Sequence, residues 1–232
     1  MNITKSLTRC LVTVPLLLCV PILVGCGTGA PPNRASKARE LMSSDKIEEQ
    51  VEGIRMLGTG SAGKSAIPEL MDLLGSDKAE LRAAAAGTLT TLEAAEAADK
   101  FLELVESETD AAVRYGYLQG ILTLKGKEAG AAACKPLLSS DDTAKQQTAT
   151  ALLASSMVPS GPVPVTELIP LASSEDSSIR TNVAAALGCT HPSSPDAAAA
   201  IATLKKMLKD GDASVKDAAY AALTAQSELE LE

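Results

Sequence analysis

The chain of 232 residues contains no tryptophan, one phenylalanine, three tyrosines and a single histidine. With aromatics at 2% of the total, its core must be built from small and aliphatic side chains, alanine foremost. A sugar-binding platform of exposed rings is equally short of material, since Tyr115 is about the only ring placed to serve. One histidine, His191, rules out a His-rich metal site, and Cys189-x-His191 lacks an adjacent third or fourth ligand. Positive charge is the minority: 21 Lys and Arg stand against 29 Asp and Glu, net −8, so no basic stripe for nucleic acid is expected.

What is present begins with a leader. Lys5 and Arg9 precede an apolar run from Leu11 to Val24, 14 residues long and interrupted by Pro15 and Pro21. That is too short to span a bilayer and reads as a secretory signal. It ends in Leu23-Val24-Gly25-Cys26, which closely resembles the lipobox of bacterial lipoproteins. The resemblance implies removal of residues 1–25, acylation of Cys26 as the first mature residue, and anchoring in the lipid bilayer; two or more acyl chains hold a protein firmly. Gly27, where an aspartate would favour the inner membrane, points to the outer membrane of the cell envelope. Losing Lys5 and Arg9 leaves 19 basic against 29 acidic groups, net −10. Residues 26–34 then read as the lipidated cysteine and a short tether, and residues 227–232 as an acidic tail.

Between them, residues 35–226 repeat. Taking Arg114 as a register mark, the equivalent positions are Gln50, Arg82, Gln146, Arg180 and Lys216, at intervals of 32, 32, 32, 34 and 36 residues. Three positions after each mark stands Gly53, Ala85, Tyr117, Ala149, Val183 or Ala219, and seven after it Leu57, Leu89, Ile121, Leu153, Leu187 or Leu223. Upstream, pairs such as Leu70 and Leu73 or Leu204 and Met207 share one face of an earlier helix. Each unit is therefore expected to be two helices around a polar hinge whose aspartates cap the second helix, and six units to stack into an all-α solenoid. Gly58 and Gly188 are expected as left-handed helix ends, Ser194-Pro195 as the cap and first position of the last unit's first helix, and Tyr117 and Tyr220 as core.

Asp110-x-x-Val113-Arg114, Asp176-x-x-Ile179-Arg180 and Ala66-Ile67-Pro68-Glu69-Leu70 resemble the helices of HEAT-like repeats, in an alanine-rich form similar to that of phycobilin lyases. The resemblance implies that the second helices line a concave face, where Arg114, Tyr115, Gln119, Gln147 and Asn182 would form a binding surface. The function this implies is a non-enzymatic, membrane-anchored scaffold for an envelope protein or peptide, with no small-molecule cofactor. The alternatives are an enzyme or enzyme subunit of the bilin-lyase type and a cell-wall-binding module. Two further features remain. Gly58-x4-Gly63-Lys64-Ser65 matches a phosphate-loop pattern but follows a helix rather than a strand, and is read as an interhelical loop. Cys134 and Cys189 fall in neighbouring units, one in a helix and one in a loop, which leaves their pairing open.

Overall fold

The computed structural model describes residues 34–59, 63–156 and 162–229. The leader 1–25, Cys26, the tether up to residue 33 and the last three residues of the tail lie outside the described residues. Among the described residues every regular element is helical, and they form six hairpins. These are α1 (Arg34–Met42) with α2 (Ile47–Leu57), α3 (Ile67–Leu73) with α4 (Ala79–Thr91), and α5 (Ala95–Leu104) with α6 (Ala111–Lys125). The chain continues with α7 (Lys127–Leu138) and α8 (Thr143–Ser156), α9 (Val165–Leu171) and α10 (Ser177–Gly188), then α11 (Ala197–Met207) and α12 (Ala213–Leu229). A single 3₁₀ turn, Lys64–Ala66, leads into α3. No described helix is long and apolar enough to cross a membrane.

The hairpins stack in two layers. Second helices pack directly on one another at every junction, α2 on α4, α4 on α6, α6 on α8, α8 on α10 and α10 on α12. First helices touch far less, with α7 on α9 and α9 on α11 the larger of these contacts. The continuous layer is the tighter inner rim of the stack. Alanine makes this spacing possible: α4 buries Ala84, Ala85 and Ala86, and a methyl side chain combines high helix propensity with close approach of the next helix.

The repeat register predicts the core well. Ala85, Tyr117, Ala149, Val183 and Ala219 are fully buried, as are Leu89, Ile121, Leu153 and Leu187. Tyr117 stacks on Phe101 with ring centroids 5.2 Å apart, and the space comes from Gly120, where a Cβ would stand 2.5 Å from the Phe101 ring. Tyr220 departs from the expectation: it is 68% exposed. Its equivalents one position after the core row, Ile54, Ala86, Leu118, Thr150 and Ala184, are all buried because the following hairpin covers them. Tyr220 lies on the sixth hairpin, and no further hairpin covers it among the described residues.

Three local expectations are corrected. Gly58 and Gly188 do not take left-handed conformations; Gly58 is right-handed at φ −65° and Gly188 is the last residue of α10. Glycine serves there as a point of close approach, since a Cβ on Gly188 would lie 2.6 Å from that of Ala222. The left-handed glycine is Gly126 (φ 89°), which joins α6 directly to α7. Aspartate side chains cap the second helices at Asp110, Asp142, Asp176 and Asp212. In the first two units Lys46 and Lys78 occupy that position without a side-chain cap; Ser44 and Ser76 Oγ accept their backbone N–H, as Ser140 and Ser174 Oγ do at Asp142 and Asp176. Helix α11 starts at Ala197, two residues beyond Pro195. Cys134 is a buried free thiol, so it forms no disulfide with Cys189.

The register-mark residues turn out to be the ties of the stack. Gln50, Arg82, Arg114, Gln146 and Arg180 each donate to the carbonyl six positions back in their own hinge, that of Ser44, Ser76, Glu108, Ser140 or Ser174. The arginines also reach forward into the next unit. Arg82 forms a two-pronged pair with Glu108, Nε to Oε2 at 2.8 Å and Nη2 to Oε1 at 2.7 Å. Arg180 does the same to Asp210, at 2.8 and 2.9 Å. Arg114 donates to the Ala144 carbonyl and Thr148 Oγ1 on α8, both at 3.2 Å.

Candidate interaction surface

On the inner layer, a groove of about 540 Å³ runs across α2, α4 and the start of α6. Ile47, Val51, Ala79 and Ala83 give it an apolar floor, Glu48 and Glu80 an acidic rim, and Arg55 its one cation. The periodicity that builds it is simple. Val51 and Ala83 stand one position after their register marks, Ile47 and Ala79 three before, so each helix contributes the same stripe. A shallower continuation between α2 and α4 follows from Arg55 to Gly58, Gly87 and Thr91. The groove combines shape, half-buried aliphatic surface and acidic edges, which suits a peptide carrying aliphatic side chains and a basic residue.

Sequence reasoning placed the binding surface further along the stack. Tyr115 and Gln147 continue the row of Val51 and Ala83, and Gln119 lies one turn beyond Tyr115 on α6. Gln119 and Gln147 are exposed. Tyr115 is half-buried against the core and its hydroxyl lies 3.0 Å from Ser155 Oγ on α8, so part of its surface is spent on the neighbouring unit. Asn182 is half-buried in the row of Ala84 and Thr148, which are buried against the preceding unit. Arg114 is not at the surface: it is 1% exposed, with its guanidinium occupied by carbonyls of the hinge and of α8. Arginine at a helix start reads as a surface cation until its partners are known, and only the three-dimensional stacking supplies them. Val51, Arg55, Glu80 and Ala83 were missed, although the row that singled out Tyr115 passes through Val51 and Ala83.

Electrostatics elsewhere follow from packing. Burial raises the Glu108 carboxyl, but the Arg82 guanidinium and the N–H groups of Asp110 and Thr109 outweigh it and hold it below its ordinary value. Burial pushes the Cys134 thiol up to about 12 and raises Cys189 as well, which disfavours the thiolate needed for nucleophilic chemistry. His191 is exposed in its loop, where Nδ1 accepts the Ser193 N–H at 3.1 Å. No cluster of three or more His, Cys, Asp or Glu side chains able to hold a metal occurs among the described residues. The Gly58–Ser65 pattern lies between α2 and α3, after a helix rather than a strand; its Lys64 and Ser65 belong to the 3₁₀ turn, and residues 60–62 lie outside the described residues.

Comparison with known proteins agrees with this architecture. Residues 36–121 and 131–224 match the family model for HEAT repeats. An engineered protein from the Northeast Structural Genomics Consortium is similar in structure, with 25% identity, a TM-score of 0.53, and coverage of 84% of this chain and 97% of that one. A designed armadillo repeat protein is similar at 18% identity, a TM-score of 0.51, and coverage of 82% and 98%. The complex of the phycocyanin lyase subunits CpcE and CpcF from Nostoc sp. aligns at 16% identity and a TM-score of 0.38, covering 82% and 97%. No curated protein matches the sequence. Six stacked hairpins, an inner layer of second helices and two family matches that cover most of the chain lead to one conclusion: this protein belongs to the HEAT-repeat family.

Proposed function

We propose that this protein is a lipid-anchored scaffold of the bacterial cell envelope, held by acylated Cys26, that binds a peptide segment of another envelope protein. The single observation behind the binding role is the groove across α2, α4 and α6, with its apolar floor and the carboxylates of Glu48 and Glu80 along its edge. The anchor rests on Leu23-Val24-Gly25-Cys26 and its basic start, and the outer-membrane placement on Gly27. The reading is of a binder rather than an enzyme, in keeping with a core cysteine whose thiol is held neutral.

Two measurements test it. Mass spectrometry of the mature N-terminus should find a chain beginning at acylated Cys26; an intact, unmodified leader would remove the anchor. A photocrosslinker in place of Ala83 should capture one envelope protein in intact cells, and the same group in place of Leu102, exposed on the first-helix layer, should not. Glu80→Lys should reduce the Ala83 adduct. Equal capture from both positions would end the groove's role.

A further inference from the structure

We propose that the outward face of the last hairpin, on α11 and α12, docks the acidic end of a helical hairpin belonging to a different protein. The argument comes from how this chain joins its own units, and it does not depend on the groove.

Every junction carries a cation on the earlier unit and an acceptor on the later one. Two positions are used for the side-chain ion pairs. Eleven residues before the register mark, Arg39 faces Glu69 at 3.8 Å and Lys135 faces Glu167 at 3.1 Å. At the mark itself, Arg82 meets Glu108 and Arg180 meets Asp210, while Arg114 takes the carbonyl and hydroxyl of α8 at the remaining junction. The direction never reverses.

The sixth unit has a cation at both positions, Lys205 and Lys216, and no hairpin stands ahead of it among the described residues. Both lysines are exposed, and no ion pair engages either one among the described residues. Between them lie Tyr220, 68% exposed where its five equivalents are buried, and Leu208, 37% exposed where Leu74 and Leu138 are buried. The face thus has the charges and the apolar surface that a following hairpin covers elsewhere in the chain. By the same rules the occupant has a carboxylate thirteen residues before its mark, as at Glu69 and Glu167, or six before it, as at Glu108 and Asp210.

A second copy does not meet this requirement. The free face of the first hairpin has Lys37 and Ser44 at those two positions, so head-to-tail stacking would set Lys37 against Lys205 and leave Lys216 without a carboxylate. Tail-to-tail stacking would oppose lysine to lysine. Like charges across a contact are a strong barrier to the wrong partner.

The test replaces Tyr220 by p-benzoylphenylalanine in the full chain and irradiates the cells that make it. The expected product is one adduct with a different protein, mapped to a helical hairpin with Asp or Glu beside the crosslink. Reversing both charges, Lys205→Glu with Lys216→Glu, should lower its yield tenfold or more, and changing the partner's acids to Lys should restore it. Because both lysines are exposed, the double variant should keep its unfolding midpoint within about 2 °C. An adduct to a second copy, no adduct, or a yield indifferent to charge reversal overturns the proposal. So does flotation of the purified chain with anionic phospholipid vesicles that is lost in the double variant, since the patch would then be a lipid contact.

Discussion

Removing Arg82 tests the idea that inter-repeat ion pairs hold the stack in register. Arg82 and Glu108 retain 15% and 5% side-chain exposure, and Glu108 Oε1 also accepts the Asp110 N–H at 2.9 Å. Arg82→Ala removes two bonds to the carboxylate and one to the Ser76 carbonyl, leaving Glu108 charged and largely out of water. Breaking a buried pair from one side costs about 3–5 kcal/mol; the exposed edge of Arg82 places this case near 3. For a chain of this size that is a fall of about 6–12 °C in the unfolding midpoint. Lys100→Ala removes an exposed pair to Glu103 at 2.8 Å and should cost no more than about 0.5 kcal/mol. The double variant Arg82→Met with Glu108→Leu should recover most of the loss, because it removes the stranded charge while keeping apolar volume. Thermal unfolding of the four proteins, with hydrogen exchange to locate the break between α4 and α6, is the assay. An Arg82→Ala midpoint no lower than that of Lys100→Ala would refute the reasoning.

Further outcomes follow from the same geometry. Glu108 is held below its ordinary value in the folded state, so its contribution is complete above the unfolded carboxylate range and is lost as pH falls through about 4.5 and below. Acid unfolding curves of the native chain and Glu108→Gln should therefore converge toward low pH; parallel curves would exclude the linkage. Cys134, pushed up to about 12, should resist iodoacetamide at pH 8 until urea unfolds the chain, as read by peptide mapping. Gly188→Ala places a methyl 2.6 Å from the Ala222 Cβ and should destabilise by about 1–3 kcal/mol. Gly87→Ala, in the interior of α4 with nothing within 4 Å of the added Cβ, should stabilise by up to about 1 kcal/mol in the same denaturation assay.

The repeat was legible because stacking imposes the same burial on the same position in successive units. Leucine or isoleucine seven residues after each mark, and Gly, Ala or Val three after it in every unit but that of Tyr117, are direct records of that constraint. The errors have one source: periodicity averages over units and does not register what each unit borders. Tyr220 takes a position that is core in five other units, yet no hairpin follows its own among the described residues. The family resemblance puts Arg114 on the concave face with the rest of its helix, while its acceptors lie six residues back and thirty residues ahead. The groove is hard to see in the sequence because three separate helices each supply only two to four of its residues.

The uneven packing of the two layers has a mechanical consequence. From α7 onward the outer helices touch lightly, a weak brace against bending. Around α1, α3 and α5 that bracing is sparse, and the inner layer alone carries continuity. The groove floored by α2 and α4 sits on this more compliant half, where a small change in curvature widens or narrows it with little disruption of helix contacts. Under the proposed binding role, that compliance would let the first three hairpins fit segments of different girth.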